Sequence, residues 1–248
     1  METECPVVRS ASGLDGLAGV ARVRSPLRVL SHLYYRLDRW VGEWPLTKVN
    51  LKQFISESGI ELNGITLNAG NGEIEYDIGA ERELCIDLDL HANPDIAADL
   101  HHIPLSNESV TTVLAVCVLE HVARPWQVIQ EFHRILHTQG KLIVEVPLSN
   151  PVHAAPSDFF RFTMEGIDLL LKDNGFRVLR RRITQPASYG IVWLWWNKIK
   201  GLNSYPLRFT LLLSLKILST VLGLRSQRLD SVRAGYDYSQ FIVAAEKS

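Results

Sequence analysis

From residue 64 onward, short apolar runs alternate with segments whose apolar residues recur every three or four positions. "ITLNA" (65–69), "LCIDLD" (84–89), "VTTVLAV" (110–116) and "KLIVEV" (141–146) are rich in Val, Ile and Leu and read as buried strands. Between the last two, "PWQVIQEFHRIL" predicts a helix entered at Pro125, with Gly140 in "TQGK" as its stop. "TMEGIDLLLKDNG" predicts a further helix, capped by Thr163 and closed at Gly175; "FRVLRRRIT" and "SQFIVAAEK" read as the later strands. Strands alternating with helices at this rhythm predict an α/β domain with a mostly parallel sheet and helices on both faces.

Two regions depart from the rhythm. Residues 1–24 are small and polar and are expected to form a flexible tail, followed by a helical extension over 25–60 with two lead-in helices. The core is then expected over 61–185 and the last strand over 237–248, with a hydrophobic helical insertion at 186–236 between them. In that insertion a Leu211, Leu215, Leu218, Leu222 stripe recurs at helical spacing, with Arg208 and Lys216 expected on the other side. The apolar run is shorter than the roughly 20 residues that span a bilayer, and a lysine interrupts it. Residues 186–230 carry six Lys or Arg against one acid, with Trp193, Trp195 and Trp196. Such a segment suits either a lid over the acceptor or an anchor in an anionic membrane interface.

Composition narrows the function classes. With 248 residues, 46% hydrophobic and 21% charged, the chain has enough apolar material for one substantial core. A net charge of -1 gives no general attraction to nucleic acid. Cys5, Cys85 and Cys117 are few and far apart, which suits a reducing, cytoplasmic setting. No CxxC pair is present, and His133 and His137 lack an HExxH frame or third ligand, so no metal is expected. The start, "METECPVVRSASG", lacks the apolar run of a secretory signal.

The chemistry gathers where strands end. Gly70 and Gly72 would let the backbone approach a ligand closely, although a tight turn alone would look the same. Asp87, seventeen residues after Gly70, is placed to accept both hydroxyl protons of a ribose; Asp89 points to the other face. Asp99 could accept from an exocyclic amino group while the Leu100 amide donates to an adenine ring nitrogen. The turn lacks a P-loop's Lys-Ser/Thr ending and the third glycine of a dinucleotide fingerprint. An adenosine-bearing ligand without phosphate fits best, and a dinucleotide is the runner-up.

These residues, in this order, resemble class I S-adenosylmethionine-dependent methyltransferases of the methyltransferase-11 type. "LNAGNG" is similar to the family's glycine motif and "CIDLDL" to its acid strand. "ADLHHIPLSNESVTTVLAVCVLEHV" is similar to its adenine loop and fourth strand, and "HAAPSDFFRFTMEGIDLLLKDNGFRV" to a later block. The resemblance implies a Rossmann-like, seven-stranded, mostly parallel sheet. It further implies transfer of a methyl group from S-adenosylmethionine to a small-molecule, glycan or lipid-linked acceptor. By it, the Gly70–Gly72 turn would hold the methionine part, Asp87 the ribose, and Asp99 with Leu100 the adenine, and Asn68, Ala69 and Leu88 would also bind the cofactor. Val116 and Cys117 would line the cofactor. Asn68 stands where the family carries an acid, and Glu73 where a small residue is common.

Beyond the fourth and fifth strands lie His121 in "LEHV" and His153, Asp158 and Arg161 in "PVHAAPSDFFRF". His153, then His121, are the expected catalytic bases, because histidine titrates near neutrality. Asp158 and Arg161 are expected to contact substrate or to pair and fix their loop. The rival expectations are a degenerate, scaffold-like domain and a nicotinamide-dependent oxidoreductase.

Overall fold

The computed structural model describes residues 51–70, 72, 76–153, 156–221 and 238–248. The expected tail, the first lead-in helix and Glu73 lie outside the described residues. The elements are α1 (Leu51–Glu57), β1 (Ile65–Ala69), β2 (Arg82–Asp87), β3 (Ile96–Ala97), β4 (Val110–Val116), α2 (Pro125–Ile135) and β5 (Leu136–Pro147). After them come α3 (Met164–Asp173), β6 (Phe176–Pro186), α4 (Ala187–Lys200), α5 (Tyr205–Val221) and β7 (Tyr238–Lys247).

The seven strands form one sheet in the order β3-β2-β1-β4-β5-β7-β6. Neighbouring pairs among β1 to β5 are parallel, and β7 runs antiparallel to both β5 and β6. Strand order reverses between β1 and β4, so a crevice opens there at the carboxyl ends of the parallel strands.

Alternation along the strands divides the core into two layers. Leu67, Val113, Leu142, Val144 and Val243 face one side, where Val128, Ile129 and Phe132 of α2 and Ile167 and Leu171 of α3 cover them. Leu114, Val116, Ile143, Ile242 and Ala244 face the other side, covered by Phe54 and Ile55 of α1 with Ile60 and Leu62. Each wholly buried side chain such as Phe54, Phe132 or Phe241 contributes about 1.5–3 kcal/mol of hydrophobic stabilisation.

Several local expectations are met. Pro125 opens α2. The Thr163 side chain accepts from the Gly166 N–H at 3.0 Å, and Gly175 turns the chain at φ +78°. One other is corrected. Gly140 does not stop α2: the helix ends at Ile135, and Gly140 lies inside β5. Its missing Cβ would sit 2.8 Å from the His137 carbonyl and 3.1 Å from that of Thr111. The connection from β1 to β2 is only residues 70–81, and its described part over 76–81 carries no helix. The sheet face there relies on α1, from the preceding segment, for cover.

The insertion forms two helices, α4 and α5, as expected, but its faces are exchanged. Leu212 and Lys216 are the buried residues of α5, while Leu207, Leu211, Ile217 and Leu218 are exposed. On α4, Val192, Trp196 and Ile199 are buried, and Trp195 is exposed with Leu194. Leu211 and Leu218 of the expected stripe therefore face outward, Leu215 is half-buried and Leu222 lies outside the described residues, while the lysine predicted to oppose them is the residue that turns in. No described helix is long and apolar enough to cross a membrane.

Candidate functional site

The glycine turn is shaped by its neighbours. Gly70 has φ +66°, and a Cβ there would lie 2.2 Å from Cγ2 of Val118 in the loop after β4. Its N–H donates to the Ile86 carbonyl at 2.8 Å. Gly72, at φ +55°, has open space where its side chain would be, and its N–H donates to Oδ2 of Asp87 at 2.9 Å. Oδ1 of Asp87 accepts from the Asp89 N–H at 2.9 Å. Asp87 thus ties the end of β2 to the glycine turn while each oxygen keeps a further lone pair for a ligand hydroxyl. Asp89 caps the short turn Leu90–Ala92 by accepting from the His91 N–H.

The flanking residues divide into side chains that reach the crevice and side chains that do not. The Ala69 side chain is packed in the core and can meet a ligand only through its backbone, whereas Leu88 is 68% exposed. The Asn68 amide donates to Oε1 of Glu83 at 2.8 Å. Its own oxygen is buried and lacks a hydrogen-bond partner, the kind of acceptor that a ligand ammonium satisfies. Leu100 is buried. Asp99 accepts from both the backbone N–H and Nδ1 of His101, at 2.9 and 2.6 Å, and half of its carboxylate stays exposed. Partial burial opposes its ionisation, but the bonds and charge of His101 outweigh this and hold Asp99 below the usual carboxylate range. Val116 ends β4, and Cys117 follows at φ +53°, a region that non-glycine residues seldom occupy. The Cys117 sulfur accepts from Nε2 of Gln240. Tyr76, not singled out in the sequence, lies near Cys117 and Glu145; burial first, then these two charges, push its hydroxyl well above the ordinary value.

A second group is built from the turn after β4 and the loop after β5. Glu120 is fully buried, and neither carboxylate oxygen has a hydrogen-bond partner. Burial is the largest influence on its ionisation and raises it to about 7, with its own backbone N–H and then Arg161 pulling down and Asp158 and Glu145 pushing up. The loop closes over it: the Phe159 and Phe160 amides both donate to the Glu120 carbonyl. The His121 and His153 rings meet edge to face, 5.0 Å between centroids. Asp158, its side chain only 2% exposed, pairs with Arg161 through both oxygens and accepts from the His153 N–H at 2.8 Å. Of the two roles expected for Asp158 and Arg161, this geometry is that of the loop-fixing ion pair.

His133 is half-buried, its ring centroid 5.3 Å from that of Phe176. Glu120 and Tyr76 are the site residues that sequence reasoning missed. An acid placed between apolar residues in "VLEHV" at a strand's carboxyl end is the signal that would have found Glu120.

Residues 73–144 match the family model described as a methyltransferase domain. No curated protein matches the chain. Among solved structures, the 4+2 cyclase SpnF aligns over 88% of this chain and 94% of its own, at 15% identity and TM-score 0.52. The geranyl diphosphate C-methyltransferase from Streptomyces coelicolor A3(2), solved with Mg2+, geranyl diphosphate and S-adenosyl-L-homocysteine, aligns over 79% of this chain and 77% of its own. Its identity is 12% and its TM-score 0.50. The MccD protein aligns over 80% and 96% at 16% identity, TM-score 0.50. The chain has a Rossmann-like fold of the class I methyltransferase type.

Proposed function

We propose that this class I methyltransferase domain binds S-adenosylmethionine in the crevice between β1 and β4 and passes its methyl group to an acceptor beside His121 and His153. The observation that carries the reading is Asp87: a carboxylate at the end of β2, bonded to the Gly72 amide and keeping free lone pairs beside the glycine turn. Asp99 and Leu100, after β3, would meet the adenine, and the unpaired Asn68 oxygen would accept from the ammonium. The glycine turn lacks the third glycine of a dinucleotide fingerprint and the Lys-Ser/Thr ending of a P-loop, which favours a phosphate-free ligand over a dinucleotide. Since one neighbour of this fold is a cyclase, the fold alone does not name the reaction.

Titration of the full chain with S-adenosylmethionine, S-adenosylhomocysteine and NAD tests the reading. Binding of the first two and not the third is expected. Asp87→Asn should weaken them about 100-fold, since each charged hydrogen bond is worth about 1.5–3 kcal/mol. Unchanged affinity in that variant removes the ribose assignment, and no binding at all favours the scaffold.

The sulfonium supplies the leaving group, so the protein's main task is to hold acceptor and methyl carbon in line. For an oxygen acceptor a proton must also leave. Of His121 and His153, the latter is the more accessible, its side chain 39% exposed against 12%.

An apolar or lipid-linked acceptor is favoured by the outward stripe of α5. Leu207, Leu211 and Leu218, with Trp195 and the basic Lys198 and Lys200 of α4, suit contact with an anionic membrane surface. The few, widely spaced cysteines of the sequence suit the cytoplasmic side. The chain should cosediment with vesicles containing anionic lipid, and Leu211→Glu with Leu218→Glu should reduce bound protein more than tenfold. Equal sedimentation of both proteins would leave the stripe without this role.

A further inference from the structure

We propose that Glu120, His121 and His153 bind one divalent first-row transition-metal ion of the zinc class. One ligand atom from each of the three lies within 4.8 Å of the other two. Binding of the ion stands on these side chains alone, whereas its part in catalysis rests on the methyl-transfer reading above.

The tautomers are set for coordination. Nδ1 of His121 lies 2.6 Å from the Ser157 carbonyl, and Nδ1 of His153 lies 2.9 Å from that of Pro151. A carbonyl oxygen only accepts, so each ring carries its proton on Nδ1 and leaves the Nε2 lone pair free. Metal-binding histidines are held in this way, by donation from the second nitrogen to a carbonyl or carboxylate. The Asp158 carboxylate, 3.6 Å from Nδ1 of His153, adds negative charge behind that ring.

Glu120 supplies the independent observation. Its carboxylate is wholly buried, and neither oxygen has a hydrogen-bond partner on another residue, an arrangement that costs several kcal/mol unless a proton or a cation neutralises it. Arg161 does not supply one by hydrogen bonding, because its nitrogens bond Asp158 and the carbonyls of Asn150, Pro151 and Phe160. Nε2 of His121 is 3.9 Å from Oε1, beyond hydrogen-bond reach. A cation between the three side chains would satisfy the carboxylate and both lone pairs together.

Two imidazoles and one carboxylate suit zinc or its transition-metal neighbours rather than magnesium or calcium, which prefer oxygen shells. Ligand bonds of about 2.0–2.1 Å place tetrahedral donors roughly 3.3–3.4 Å apart, so metal entry draws the His153 loop inward by about an ångström. Three protein ligands leave a position open, as catalytic zinc sites do. In the methyl-transfer reading an acceptor oxygen fills that position and, bound to the ion, sheds its proton to solvent near neutral pH. The O–CH3 bond then forms as the S–CH3 bond breaks, and the sulfonium leaves as a neutral thioether.

The test uses the full chain, stripped with a chelator and titrated with Zn2+ alone, followed by metal analysis of the gel-filtered protein. One equivalent is expected. His121→Ala, His153→Ala and Glu120→Gln should each weaken uptake by more than about 100-fold, while His137→Ala leaves it unchanged. His153→Asn serves should the alanine variant fail to fold, as judged by circular dichroism. No uptake, or uptake that survives in the His121→Ala/His153→Ala double variant, overturns the site. Retained S-adenosylmethionine binding marks that failure as the metal's own, and lost S-adenosylmethionine binding with intact zinc uptake counts against the methyl-transfer reading instead.

Discussion

Replacing Arg161 by alanine is expected to destabilise the protein by about 3–5 kcal/mol, the range for removing one partner of a buried ion pair. The side chain bonds through every guanidinium nitrogen: Nε to Asn150, one terminal nitrogen to Asp158 and Phe160, the other to Asp158 and Pro151. Its loss strands Asp158, which is 2% exposed and would keep only the His153 amide as donor. It also releases three carbonyls of the loop that closes over Glu120. For a chain of this size the melting temperature should fall by roughly 6–20 °C. Arg161→Lys should recover little, because an ammonium cannot reproduce the planar fork. The Asp158→Asn/Arg161→Met pair should cost less than the sum of its parts. A loss below about 1 kcal/mol in chemical denaturation of the alanine variant would show that the pair behaves as a surface bridge.

The second large effect is a dependence of stability on pH that Glu120 imposes. Its folded value, raised by burial from 4.5 to about 7, lies above the unfolded one. The native state therefore holds this proton longer than the unfolded chain does. The contribution is fully present below about pH 4.5 and is lost as pH rises through about 7. The difference corresponds to about 3 kcal/mol of stability between those limits. Denaturant melts at pH 5 and pH 8, both with chelator, should show the native chain losing stability relative to Glu120→Gln, which has no proton to release. Parallel pH curves for the two proteins would mean that the carboxylate finds a partner in solution. Added zinc should reverse part of the loss at pH 8 in the native chain only, because a ligand that binds the folded state stabilises it.

The strands were legible because apolar runs such as "VTTVLAV" are buried on both faces of a parallel sheet and carry their pattern without neighbours. The glycine turn and Asp87 were legible because both lie on one short stretch of chain. The Glu120–His121–His153 group was not, since it forms only when the loop after β5 folds back over the turn after β4. The orientation of α5 was misread for a related reason. Its sequence puts leucines on most sides, and only packing against the rest of the domain decides that Leu212 and Lys216 turn inward. The two-residue strand β3 carries too little pattern to be read at all.

The position of β7 bears on how the molecule is made. Within the described chain this strand comes last, yet it sits between β5 and β6 and is the only partner that β6 has in the sheet. During synthesis, the half of the sheet carrying the glycine turn can assemble first, while β6 and the two apolar helices wait for residues 238–247. Until those arrive, β5 presents an open row of amides and carbonyls to any passing strand. The arginines of β6 temper that hazard: Arg177, Arg180, Arg181 and Arg182 keep the waiting segment charged before they reach Glu246, Glu57 and Asp168. Nascent chains halted before residue 238 should therefore be the species that chaperones hold.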